Sequence, residues 1–206
     1  MGKLKGVFCV EGHWDRDLTR RHSVRPTLEL LDGLESLRYI HRSAVTPEQL
    51  RYLLDEWSLR KYAAYEVGFF AFHGSPRSLW LSDSHETSLG DIAGWVAGRW
   101  KGKRIYVGGC SVLRGSEAYL TDFLHETGAA LVCGFTKQVD WIEAAAFETV
   151  VLHRLVNSGK VNSVEQLATS ARWAPLAQHL GFRVVYPDGN SFKIPSMRSP
   201  GSTVSA

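Results

Sequence analysis

The 206-residue chain is 44% hydrophobic and 22% charged, a balance that excludes a disordered polyelectrolyte and supports one domain with a sizeable core. Its net charge of +3 comes from 24 basic and 21 acidic residues with no Lys/Arg block, so nothing in it indicates a nucleic-acid partner. There is no apolar run of the roughly 18 residues a membrane span needs, and the start turns charged too soon for a signal peptide; no membrane partner is indicated and a cytoplasmic location is expected.

The elements alternate along the chain. GVFCV (6–10) is a continuous apolar run, the pattern of a strand buried on both faces. Leu30, Leu31, Leu34 and Leu37 recur at helical spacing and predict a helix over 27–37. LRYIHRSAV reads as a more polar strand near a sheet edge. TPEQ (46–49) is a helix start, with Thr46 as N-cap, Pro47 in the first helical position and Gln49 placed to close a capping box. Leu50, Leu53, Leu54 and Trp57 continue that helix on one face.

EVGFFAFHG is the most apolar strand and ends at His73 and Gly74. SLWLSD is a hairpin arm, and SLGD (88–91) opens a helix. RIYVGGC is the next strand, followed by a helix at 116–127 closed by Gly128, and then by the strand AALVCGF. A helix over 140–157, another opened by SVEQ (163–166) and a last strand, FRVVYP, complete the alternation. Strands alternating with helices imply parallel crossover units, hence a three-layer α/β domain with about six main strands and helices on both faces of a mostly parallel sheet. The Pro/Ser-rich tail, 195–206, is expected to be disordered, leaving residues 1–194 as the domain.

In such a sheet, ligands bind beyond the carboxyl ends of the strands. The first strand brings Glu11, His13, Trp14 and Asp15 to that rim; the FFAF strand brings His73 and Gly74; the next brings Gly109, Cys110 and Ser111. A His and a Cys therefore end two successive strands. A thiol is weakly ionised at neutral pH; a nearby imidazole and the start of the helix after Cys110 activate it, and neighbouring glycines let backbone N–H groups approach a carbonyl oxygen. Cysteines 9, 110 and 133 are odd in number and lack a C-x-x-C pair, so no disulfide framework, metal site or other cofactor is indicated. Cys9 and Cys133, inside strands, read as buried small hydrophobes. Cys110 alone supports that reading nearly as well as a nucleophile; the partner His73 separates the two. His41, His125 and His153 fall in edge-strand or helical surface settings, and Trp141 reads as core packing that also closes a pocket.

FFAFHG (69–74) and IYVGGC (105–110) together resemble the caspase-like clan of cysteine peptidases, and GAALVCGFTKQVDWIEAAAF resembles its bacterial CHAT-domain branch. The resemblance implies a caspase-like fold and a peptidase with Cys110 as nucleophile, His73 as general acid/base, and the N–H groups of Gly74 and Cys110 as oxyanion donors. It implies a protein or peptide substrate and a setting in bacterial defence or regulated cell death; a domain this compact, without a sensor or substrate-recruiting repeat of its own, is expected to work with a partner protein that activates it or presents its target. Metacaspases carry Asp, and caspases Gln, two residues before the nucleophile; this chain has Gly108 there. A pocket for a basic residue would need its acid from elsewhere, with Asp140 and Asp15 as candidates and Gly109 and Trp141 as further substrate contacts. The rival readings are a silent interaction module on the same fold and a Cys/His amidase or acyltransferase.

Overall fold

Apolar runs become strands here where they can be covered on both faces, and the most apolar ones lie at the centre of a seven-stranded sheet. In the computed structural model, which describes residues 5–193 apart from Leu18, the strands are β1 (Gly6–Glu11), β2 (Arg38–Ser43), β3 (Val67–Ala71), β7 (Arg104–Val107), β8 (Leu131–Phe135), β9 (Phe182–Val185) and β10 (Ser191–Lys193). Their order is β10-β9-β8-β7-β3-β1-β2. β2, β1, β3, β7 and β8 run parallel, whereas β9 lies antiparallel to β8 and β10 antiparallel to β9. Every residue of β1, β3, β7, β8 and β9 is buried, while β2 is half-exposed because it forms an edge.

Among the described residues seven α-helices cover the sheet, so the architecture is three-layer α/β. α1 (Arg25–Gly33), α5 (Trp141–Asn157), α6 (Ser163–Thr169) and α7 (Ala174–His179) pack on one face through Leu28, Leu31, Phe147, Val151, Leu167 and Ala177. α2 (Pro47–Trp57), α3 (Leu89–Val96) and α4 (Glu117–Thr127) pack on the other through Leu50, Trp57, Ile92 and Leu120. Trp57 anchors this second core: it stacks on Phe8 with ring centroids 5.0 Å apart and donates its indole N–H to the Tyr65 carbonyl at 2.9 Å. A fully buried aromatic of this size is worth about 3–5 kcal/mol against alanine.

Several local expectations shift. The first helix ends at Gly33 and buries Leu28 and Leu31, leaving Leu30 and Leu34 exposed; Leu37 packs from the loop beyond it. Thr46 caps α2 as its sequence demands, but the Gln49 side chain accepts from Val45 N–H, one residue before the cap. Ser163 is a buried first-turn residue of α6 behind Asn162, not its N-cap. FFAF does not run straight into His73: the parallel strand stops at Ala71, and His73–Ser75 forms β4 in a separate three-stranded antiparallel sheet with β5 (Ser78–Ser82) and β6 (His85–Ser88). The alternation also misses β10, three residues that pair with β9 across a tight Pro-Asp-Gly turn. The tail 195–206 lies outside the described residues. Among the described residues no helix is long and apolar enough to cross a membrane.

Candidate active site

The strand order reverses at β1, which has β2 on one side and β3 on the other, and the loops that leave such a switch point open a crevice above the sheet. That crevice is a cavity with about 660 Å³ of atom-free space, mouth included. Its lining comes from the ends of β1, β3 and β7 and from the first turns of α1 and α5, and it includes Trp14, His73, Gly108, Cys110, Trp141 and Glu148.

Direct pairing of β3 with β7 brings the His and Cys segments together: Phe70 is level with Val107, and Gly108 N–H donates to the Phe70 carbonyl at 2.9 Å. Beyond the strands the two backbones remain in contact. A Cβ added to Gly74 would stand 2.6 Å from the Cys110 carbonyl oxygen and 2.3 Å from Val112 Cγ2, so only glycine fits. A Cβ on Gly109 would meet the Phe72 carbonyl oxygen at 2.8 Å. The glycines beside His73 and Cys110 are therefore required by close backbone approach. Among the described residues no acceptor takes the Cys110 N–H.

Directly after Cys110 the chain turns through Ser111 with a left-handed φ of 60°, an uncommon conformation for a side-chain-bearing residue, costing about 1–2 kcal/mol. Ser111 N–H donates to the Lys137 carbonyl and Arg114 N–H to Ser111, which hold the turn. The turn lets the Cys110 segment leave the end of β7 sharply. The helix whose first turns line the cavity is α5, through Trp141, Ala144 and Ala145; α4, which follows Cys110, contributes no lining residue.

His73 is oriented by a partner that carries no sequence signal. Its Nε2 lies 2.8 Å from the Trp14 carbonyl oxygen. A carbonyl only accepts, so Nε2 bears the proton and Nδ1 is the basic nitrogen. The Trp14 ring meets the His73 ring edge-on at 5.0 Å and the Trp141 ring at 4.7 Å. Trp14 is in turn fixed by Glu11, which is 4% exposed and accepts from Trp14 Nε1, Ser23 Oγ, Val24 N–H and His41 Nε2. Burial pushes the Glu11 carboxyl up, but these four hydrogen bonds outweigh it and hold it below the usual carboxylate range.

The remaining site expectations divide. Trp141 lines the cavity. Asp140 does not: it is the N-cap of α5, its carboxylate accepting from Ile142 N–H at 2.9 Å and Glu143 N–H at 3.1 Å. Asp15 is paired with His22 Nδ1 at 2.6 Å in a neighbouring groove. Cys9 and Cys133 are buried, and loss of solvent pushes both thiols up; Cys110 is half-buried. His41, expected on a surface edge, instead has a side chain 17% exposed and binds Glu11.

Glu148 is the residue the motifs did not flag. It falls on the buried face of α5, with Ala144, Phe147, Val151 and Leu152, at the spacing of an apolar stripe. An acid in such a stripe is the sequence signal that could have found it, because a buried carboxylate is rare without a reason. Loss of solvent raises its carboxyl to about 7; one donor, the Tyr106 hydroxyl at 3.1 Å, works against that rise.

A search of curated proteins finds no match to this chain. Residues 5–186, the span from β1 to β9 that holds the helices and the cavity, match the model of a family of unknown function, and the chain belongs to that family, DUF6642.

Proposed function

We propose that this protein is a caspase-like cysteine peptidase with Cys110 as nucleophile and His73 as general acid/base. The observation that carries the reading is the shared cavity: a half-buried thiol and an imidazole with its Nε2–H already committed to a carbonyl line one crevice at the sheet's switch point.

In the reaction, the Cys110 thiol gives its proton to His73 Nδ1 and the sulfur attacks the scissile carbonyl carbon. The carbonyl oxygen takes up the negative charge against the N–H groups of Cys110 and Gly74. As the C–N bond breaks, His73 returns the proton to the departing amine, leaving a thioester on Cys110. Water then attacks the thioester, giving one proton to His73, and that proton returns to sulfur as the acid leaves. Trp14 holds the imidazole through its carbonyl, the part a third carboxylate plays in other dyads and triads.

The test is the chemistry of Cys110. Iodoacetamide should modify Cys110 rapidly and with a pH profile that His73→Ala abolishes, and a peptide library should be cut by the wild type and not by Cys110→Ala. Slow labelling at one rate in both proteins, with no peptide cut, would overturn the reading. Turnover of small amides without any peptide cleavage would move the assignment to an amidase.

A further inference from the structure

Gly108 is where caspase-like peptidases of known pattern carry the side chain that meets the substrate residue on the amino side of the cut. Here nothing projects from that position, yet the space is not empty of charge. A Cβ on Gly108 would stand 2.8 Å from Glu148 Oε1 and 2.9 Å from Phe69 Cε2. The carboxyl group of α5 therefore occupies the place that a side chain at 108 would take, and the glycine is what makes room for it.

Three observations say what this carboxyl does. First, Glu148 lines the same cavity as His73 and Cys110, so a side chain entering from the reacting carbonyl can reach it. Second, Glu148 is only 5% exposed, and among the described residues the one hydrogen bond it receives goes to Oε1. Its other oxygen accepts from no donor among the described residues and is not sealed away from solvent, so it is open to a cation that enters the cavity. Third, most of the cavity's other walls are apolar or aromatic, Trp14, Trp141, Val24, Val139 and Ala144 among them. Such walls cover an aliphatic stem and stack on a cationic head.

We propose, building on the peptidase reading, that the cavity is the pocket for a basic residue, arginine or lysine, and that Glu148 is its specificity-determining counter-charge. Asp140 and Asp15 are not needed for this role, since one caps a helix and the other pairs with His22. The elevated proton affinity of Glu148 fits the proposal: the carboxyl resists ionising alone and ionises fully against a bound cation.

Peptidyl acyloxymethyl ketones that place Arg, Lys, norleucine, Gln or Asp in the pocket test this, with the rate of covalent labelling of Cys110 read by intact mass. The Arg or Lys probe should react roughly 100-fold faster than the norleucine probe, the value of one buried charge-assisted pair. Glu148→Gln, which keeps the size and a partner for Tyr106, should remove that advantage and bring the basic and norleucine rates to within about threefold of each other. Equal rates for basic and uncharged probes in the wild type, or a basic preference that survives Glu148→Gln, would overturn the assignment. Absence of labelling by every probe would instead remove the peptidase reading, and binding of acetyl-arginine amide to Cys110→Ala by calorimetry then decides the pocket by itself. Binding that vanishes when Glu148→Gln is added supports it; binding no tighter than that of acetyl-norleucine amide overturns it.

Discussion

Glu11 and Glu148 are two buried acids beside one cavity, 4% and 5% exposed, yet their proton affinities move in opposite directions. Glu11 receives four hydrogen bonds and is held ionised; Glu148 receives one from Tyr106 and is raised to about 7. Loss of solvent raises both, but four donors reverse that at Glu11, whereas at Glu148 it is reinforced by the nearby charge of Glu11 and opposed by one donor. A saturated carboxylate is a structural brace, here for Trp14 and through it for His73. An unsaturated one, facing a cavity, is open to a ligand.

The comparison breaks first at Glu11. Each of its oxygens accepts from two donors, so Glu11→Gln sets an amide N–H against two of them wherever the amide is placed. Denaturant unfolding at pH 7 should show a loss of about 3 kcal/mol or more. Because the folded carboxyl is held below its unfolded value, its stabilisation is present above the usual carboxylate range and disappears as pH falls through the folded value. The variant should therefore lose part of the wild type's acid sensitivity.

Glu148→Gln should act with the opposite sign. A folded carboxyl near 7 binds its proton more tightly than the unfolded chain does, so ionising it costs stability as pH rises from the usual carboxylate range to about 7. Without substrate, the variant should match the wild type near pH 5 and exceed it at pH 8 by on the order of 2–3 kcal/mol in denaturant unfolding. The groups facing Glu148 are Glu11 and Cys9 of β1 and Tyr106 of β7, with His73 and Cys110 sharing its cavity. A variant equally stable at both pH values would mean that Glu148 is already compensated.

The smallest effects belong to the two aspartates on the rim. Asp140→Ala should cost about 1 kcal/mol as a lost N-cap. Asp15→Ala should cost about 0.5 kcal/mol or less, since its ion pair with His22 is partly exposed. Neither should change which probe labels Cys110 fastest, and a loss of basic preference in Asp140→Ala or Asp15→Ala would return the counter-charge to the rim.

Much of the scaffold was legible in the chain because it depends on short-range chemistry. Continuous apolar runs identified β1, β3, β7 and β8, and the caps Thr46, Ser88 and Gly128 marked helix ends through hydrogen bonds or dihedrals confined to a few residues. The pairing of His73 with Cys110 could be inferred as two strand ends on one rim, but not the bend at Phe72 that moves His73 into a second sheet. β10 was not legible, since three residues carry too little periodicity to register.

By itself, then, the sequence determined the α/β alternation, the glycines at the rim and the arrival of His73 and Cys110 on that rim, because each is written in local pattern or residue type. Only the tertiary structure decided which groups surround them. Strand order β2-β1-β3-β7 sets Trp14 over His73, and the packing of α5 against β1 and β3 sets Glu148 against Gly108, forty residues away in sequence. Contacts of that range follow from how layers stack, and no local propensity encodes them.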